Sequence, residues 1–165
     1  MKSDNKRGFT LIEILVVMGI IAILAAIVLI AINPARQFAQ ARNAQRTSNV
    51  NAILNAVGQF IADNEGDLPP SIDDAGGIDP AEEISSADRD LCINLAPTYL
   101  PALPTDPDSP EEGEAVEYDD VDDDCGSYDS EYEVAVSDEG RVTICAPNAA
   151  DEDAIEGAEE ICVTR

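Results

Sequence analysis

Glu13 is the only ionisable side chain between Phe9 and Ile32, in a run that reads FTLIEILVVMGIIAILAAIVLIAI. A carboxylate in such surroundings costs several kcal/mol unless it is paired or sits close to water, so Glu13 needs a partner or an interfacial position. Gly8 and Phe9 mark the junction between that run and a short polar stretch carrying Lys2, Lys6 and Arg7. Further along, Asp120, Asp122, Asp124 and Glu131 supply oxygens of the type a hard cation takes. Four cysteines, Cys92, Cys125, Cys145 and Cys162, all lie beyond the apolar run. An even number in a small domain poor in aromatics fits two disulfides in an oxidising compartment. Three pairings are open, one of which, Cys145 with Cys162, would staple the tail to a preceding strand. Thiolate metal ligation is disfavoured, since the chain holds no CxxC spacing and no histidine. With no histidine, no Gly-rich phosphate loop and no nucleophile elbow, catalysis is not expected.

The elements that must carry these residues follow from hydrophobic patterning. Ile14 to Ile32 contains no charge, and nineteen residues at about 1.5 Å rise give roughly 28 Å, close to the hydrocarbon thickness of a bilayer. The run is too long for an ordinary signal h-region, and Ala25 and Ala26 lie inside it rather than at a polar cleavage boundary. Charge counting leaves orientation close to a tie, because Arg36, Arg42 and Arg46 on one side balance Lys2, Lys6 and Arg7 on the other. The cysteines place the distal part outside the cytoplasm and hence the N-terminus inside.

After Asn33 and Pro34 the apolar residues Val50, Ile53, Leu54, Val57, Phe60 and Ile61 recur at spacings of three and four. Gly66, Pro69 and Pro70 stop the pattern. Residues 9–62 therefore predict one helix, roughly 80 Å long at the usual rise, with a bend at Pro34. Four segments follow: 1–8 as a leader, 9–32 as the membrane half of the helix, 33–62 as its amphipathic half, and 63–165 as an acidic head. Within the head the pattern predicts a loop over Ser71–Pro80, a short helix around Ala81–Leu95 and a proline-studded loop, TYLPALPTDPDSP. EYEVAV, SDEG and RVTICA then read as strand, turn and strand. The tail ends in a loop or a short terminal strand at Cys162–Thr164. The fold class is α+β: a long N-terminal transmembrane and amphipathic helix packed on a small C-terminal head with an antiparallel β-sheet.

The formal charge of −25 is unevenly placed: the first 46 residues carry +4, leaving −29 on residues 47–165. Such a head repels phosphate backbones, so direct nucleic-acid binding by the head is not expected. It also repels its own copies, unless salt or divalent cations screen the charge.

Lys6 to Ile27, KRGFTLIEILVVMGIIAILAAI, resembles the N-terminal signature of type IV pilins and type II secretion pseudopilins: a basic leader ending in glycine, an aromatic residue after it, a glutamate at the fifth position and an apolar run. The resemblance implies a pilin-like fold and a structural role in a filament. It also implies cleavage between Gly8 and Phe9 by prepilin peptidase, a membrane aspartyl protease that then N-methylates Phe9. Glycine suits that step because, lacking Cβ, it lets the backbone lie extended in the protease cleft. By the same resemblance Glu13 pairs with the Phe9 amine of an adjacent subunit. The partners implied are further copies, other pilins or pseudopilins, prepilin peptidase and an inner-membrane assembly platform. The precursor would be a single-pass membrane protein and the product an extracytoplasmic or cell-surface filament. Gly19, Ala22, Ala25 and Ala26 permit close helix approach. The chain departs from many members in lacking a proline near the middle of the apolar run.

YLPALPTDP before a C-terminal hairpin is similar to the loop and sheet of major pseudopilins, which often hold calcium there. Calcium is therefore the one cofactor considered. Asp120, Asp122, Asp124 and Glu131 fall at positions one, three, five and twelve of an EF-hand-like frame, but position six is Cys125 and the glycine comes one later, at Gly126. A solvated acidic loop accounts for the same spacing. The alternative to a filament subunit is an uncleaved, single-pass anchored protein whose acidic head binds cations or a partner.

Overall fold

The computed structural model describes residues 8–73, 77–109, 115–119 and 124–165. Two compact units divide at Phe38 and Ala39.

In the first unit α1 spans Leu11–Ile32, and its start is a capping box. The Thr10 hydroxyl accepts from the Glu13 amide at 3.3 Å, while Glu13 Oε2 accepts from the Thr10 amide at 2.7 Å. This arrangement satisfies donors that the first helical turn would otherwise leave bare. Asn33 ends the helix in the left-handed region, at φ 46° and ψ 79°, a conformation asparagine tolerates at helix ends. Pro34 then opens α2 (Pro34–Asp63), where its missing N–H is lost anyway. The single helix expected over residues 9–62 is thus two helices. The left-handed residue before the proline, rather than a ring clash inside a continuous helix, makes the break.

The second unit is the head. From Ala39 onward α2 buries Arg46, Asn49, Val50, Ile53, Leu54, Ala56 and Val57, a stripe at spacings of three and four. At its end the Gly66 amide donates to the Ile61 carbonyl at 2.9 Å, with Gly66 at φ +104°.

Four antiparallel strands form one sheet in the order β1 (Ile78–Ser85), β2 (Asp129–Val136), β3 (Val142–Ala146) and β4 (Ile161–Thr164). Along β2 the alternate residues Ser130, Tyr132, Val134 and Val136 face inward, as a pleat with one covered face requires. Tyr132, Val134 and Val136 join Val50, Ile53, Leu54, Ala56 and Val57 of α2, with Ile84 and Ile144, in the main core. The expected β2–β3 hairpin is present, its turn closed by Gly140 donating to Ser137 at 2.8 Å. The tail does end in a strand. The segment read as a short helix over Ala81–Leu95 instead opens with the last five residues of β1, continues as a loop, and is helical only in α3, Cys92–Leu95. Its local sequence favours helix only weakly, and pairing with β2 plus burial of Ile78 and Ile84 overrides that preference. Part of the loop expected over Ser71–Pro80 likewise belongs to β1.

Opposite Glu83 and Ser85 the register slips, so that two steps of β1 face four of β2, from Glu133 to Asp129. Glu131 takes up the slack at φ 57°.

Candidate functional site

The N-terminal end of α1 holds the residues on which the sequence reading turns. Glu13 Oε2 takes both the Thr10 amide and the Thr10 hydroxyl, each at 2.7 Å. Its second oxygen makes no hydrogen bond among the described residues. Phe9 lies just ahead, 84% exposed, and the large apolar side chains described along α1 are exposed as well. Leu11–Leu29 is long and apolar enough to cross a membrane, and none of it is buried within the chain. Such a surface is unstable in water and needs lipid or other helices around it.

The cysteines pair as Cys92–Cys125 and Cys145–Cys162. The second bridge joins directly opposed residues of β3 and β4 with Cα atoms 4.1 Å apart. Val142 and Arg165 exchange backbone hydrogen bonds, which makes Cys145 and Cys162 a non-hydrogen-bonded pair, where opposed side chains approach most closely. Both thiols being consumed, neither is available as a metal ligand beside Glu160.

Of the calcium candidates, Asp120 and Asp122 lie outside the described residues. Asp124 lies in a bridge with Asp119, and its Oδ1 accepts from the Gly126 amide at 3.0 Å. Glu131 sits on β2 with its carboxylate on the Asn148 side-chain amide.

A charged cluster inside the head escaped the sequence reading. Arg46 Nε and Nη2 donate to the two Asp106 oxygens at 2.7 and 2.8 Å, and Nη1 reaches both Asn43 and Glu152. Arg42 Nε donates to the same Glu152 at 2.7 Å. Arg46 is 1% exposed, Asp106 0% and Glu152 5%, so the cluster ties α2, the proline-rich loop and the segment after β3 together in a region nearly free of water. Burial pulls the Arg46 pKa down, but its bonds to Asp106 and Glu152 more than offset that and hold it above the ordinary arginine value. The Arg42 hydrogen bond keeps the Glu152 carboxyl below the usual range, against the opposing effect of burial. Beside the cluster, Asn49 Nδ2 donates to the Tyr132 hydroxyl at 2.9 Å, and burial pushes that phenol up to about 12. The signal was present in the sequence: Arg46 stands four residues before Val50 and seven before Ile53, in phase with the apolar stripe. The arrangement offers no open cleft and no reactive pair; its chemistry is that of a clasp.

Comparison with known families places residues 3–29 on the prokaryotic N-terminal methylation motif. That motif is the signature of type IV pilins and pseudopilins, and here it covers the residues leading into α1 and most of that helix, ahead of a head of α+β architecture. No curated protein and no solved structure matches the chain.

Proposed function

We propose that the chain is a structural subunit of a type IV pilus-like or pseudopilus filament, cleaved between Gly8 and Phe9 by prepilin peptidase and assembled through its N-terminal helix. The observation that carries this reading is Glu13: one carboxylate at the start of an exposed apolar helix, with one oxygen engaged by Thr10 and the other uncommitted. Cleavage would turn Phe9 into an N-terminal amine. The amine of a neighbouring subunit then satisfies the free Glu13 oxygen where the packed helices exclude water, so that charge pairing sets the axial register.

The capped start of α1 supports this role, since the Thr10–Glu13 bonds hold the carboxylate at the end of the helix rather than along its side. The disulfides and the pairing of Arg42 and Arg46 with acidic residues support a head outside the cytoplasm. Those pairings leave Arg36 as the arginine near the span without an ion pair among the described residues, which tips the charge balance toward Lys2, Lys6 and Arg7 facing the cytoplasm.

Intact-mass and N-terminal mass spectrometry on protein sheared from cells tests the reading. A chain beginning at N-methylated Phe9 is the expected result. A chain still beginning at Met1 and retained in the membrane would overturn it in favour of an anchored acidic binding protein.

A further inference from the structure

Gly58 lies inside α2, five residues before its end, where a glycine weakens a helix, yet nothing among the described residues requires one. A Cβ built there meets only Arg165 Nη1, at 3.8 Å. What the missing side chain leaves is space. Leu54, Val57, Gly58, Ile61, Gly140 and Val142 line an apolar groove of about 250 Å³ on the head, flanked by Arg165, whose Nη1 donates to Asn55 Oδ1 at 2.8 Å. A cavity of about 150 Å³ already admits a benzene ring, so one aromatic side chain fits this groove.

The chain supplies one such ring. Outside α1 and Phe9 ahead of it, the exposed large apolar side chains among the described residues are Phe38, at 67%, and Ile93, at 46%. The described aromatics of the head are all at least half buried. Phe38 stands between Ala35 and Ala41, its neighbours three residues away along α2. It cannot fill its own groove: Phe38 and Leu54 are sixteen residues apart on one helix, about 24 Å of rise. Charge favours the same match. Arg36, two residues before Phe38, has no side-chain partner among the described residues, while the turn that brings Gly140 to the groove carries the exposed Asp138, next to a Glu139 that already pairs with Arg141 at 3.5 Å.

We infer that Phe38 of one copy inserts into the groove around Gly58 of another, with Arg36 facing Asp138 of the β2–β3 turn. This contact rests on the filament reading and adds to it a second register, an axial offset of about 24 to 30 Å set on α2, separate from the Glu13 contact. The area of one buried ring is modest, but repeated at every subunit it favours one stagger over others.

The test uses the full-length chain in cells, with Phe38→Cys and Ile61→Cys combined and treated with a bismaleimide, in membranes and in sheared filaments. The four native cysteines are already paired. A ladder of multimers that survives reductant, absent from either single variant, is the expected result. Phe38→Ser and Gly58→Leu, the second filling the groove, should each lower filament yield at least about tenfold, as loss of a central aromatic anchor does, while Gly58→Ala leaves it unchanged. Wild-type yield from Phe38→Ser together with no ladder would overturn the contact. So would a Phe38→Ser chain that loosens from the membrane without any ladder having formed in the double variant, which would assign the ring to the lipid interface. A wild-type chain that keeps its leader and never leaves the membrane would instead defeat the filament reading, and this contact with it.

Discussion

Arg46 and Asp106, sixty residues apart in sequence, meet through two hydrogen bonds of 2.7 and 2.8 Å with side chains 1% and 0% exposed. A buried pair of this kind contributes little over an apolar replacement, yet breaking it leaves a charge with no water to solvate it. The pair therefore governs how the head tolerates change.

Arg46→Ala should destabilise the head by about 3 to 5 kcal/mol, and Asp106→Ala by a similar amount. The double replacement Arg46→Met with Asp106→Leu should cost clearly less than the sum. Urea unfolding of the four chains measures this; additive losses would contradict the clasp.

Acid should unfold the head through Glu152. Its folded pKa lies below the ordinary 4.5, so its contribution is full above that value and is lost as pH falls through the folded pKa. Glu83 and Glu133 behave oppositely. Burial, with acidic neighbours second, raises both above 4.5, so folding gains stability as pH falls through their folded values toward 4.5. They face each other across β1 and β2, which adds to the effect. The thermal midpoint should thus peak in mildly acidic solution and drop below about pH 4.5, and Glu152→Gln should flatten the acid limb.

Cys145→Ser with Cys162→Ser should lower stability by about 3 kcal/mol, the loop-closure value for a bridge spanning 17 residues. The loss should fall mainly on β4, whose backbone amides would exchange hydrogen faster than those of β2; uniform exchange across the sheet would contradict this.

Gly77→Ala should be among the most damaging single-methyl changes. Gly77 has φ +71°, and an added Cβ would lie 2.5 Å from the Val136 carbonyl oxygen, where β1 must begin pairing with β2. A loss of about 1 to 3 kcal/mol is expected from strain of this kind, read from the midpoint of chemical unfolding.

Filament yield should depend on salt. With −29 on residues 47–165, neighbouring heads repel, and raising salt from about 0.01 M to about 1 M shortens the screening length from roughly 30 Å to roughly 3 Å. Sheared yield should rise across that range. Glu13→Ala should cripple assembly at every salt concentration while leaving cleavage largely intact, because it removes a specific partner rather than a general repulsion.

The residues on which the proposed class rests were legible without coordinates, since their meaning is local. Glu13 is conspicuous because its neighbours in sequence are apolar, Gly8 and Phe9 because a basic stretch meets that run, and the β2–β3 hairpin because alternation and its turn lie within sixteen residues. The break at Asn33 was half visible, the proline announcing it but not the left-handed residue before it. What the tertiary structure alone decided depends on distant partners. The segment from Ile78 became a strand because β2, over forty residues away, offered an edge and a face to bury against. The two disulfides were chosen from three pairings by which strands and loops came together. Arg46, counted in sequence as one more charge beside the membrane, turned inward because Asp106 and Glu152 arrive from loops with no local pattern to announce them. Periodicity records which face of an element is buried; it holds no record of what a buried charge will meet there, because that is set by the packing of the whole chain.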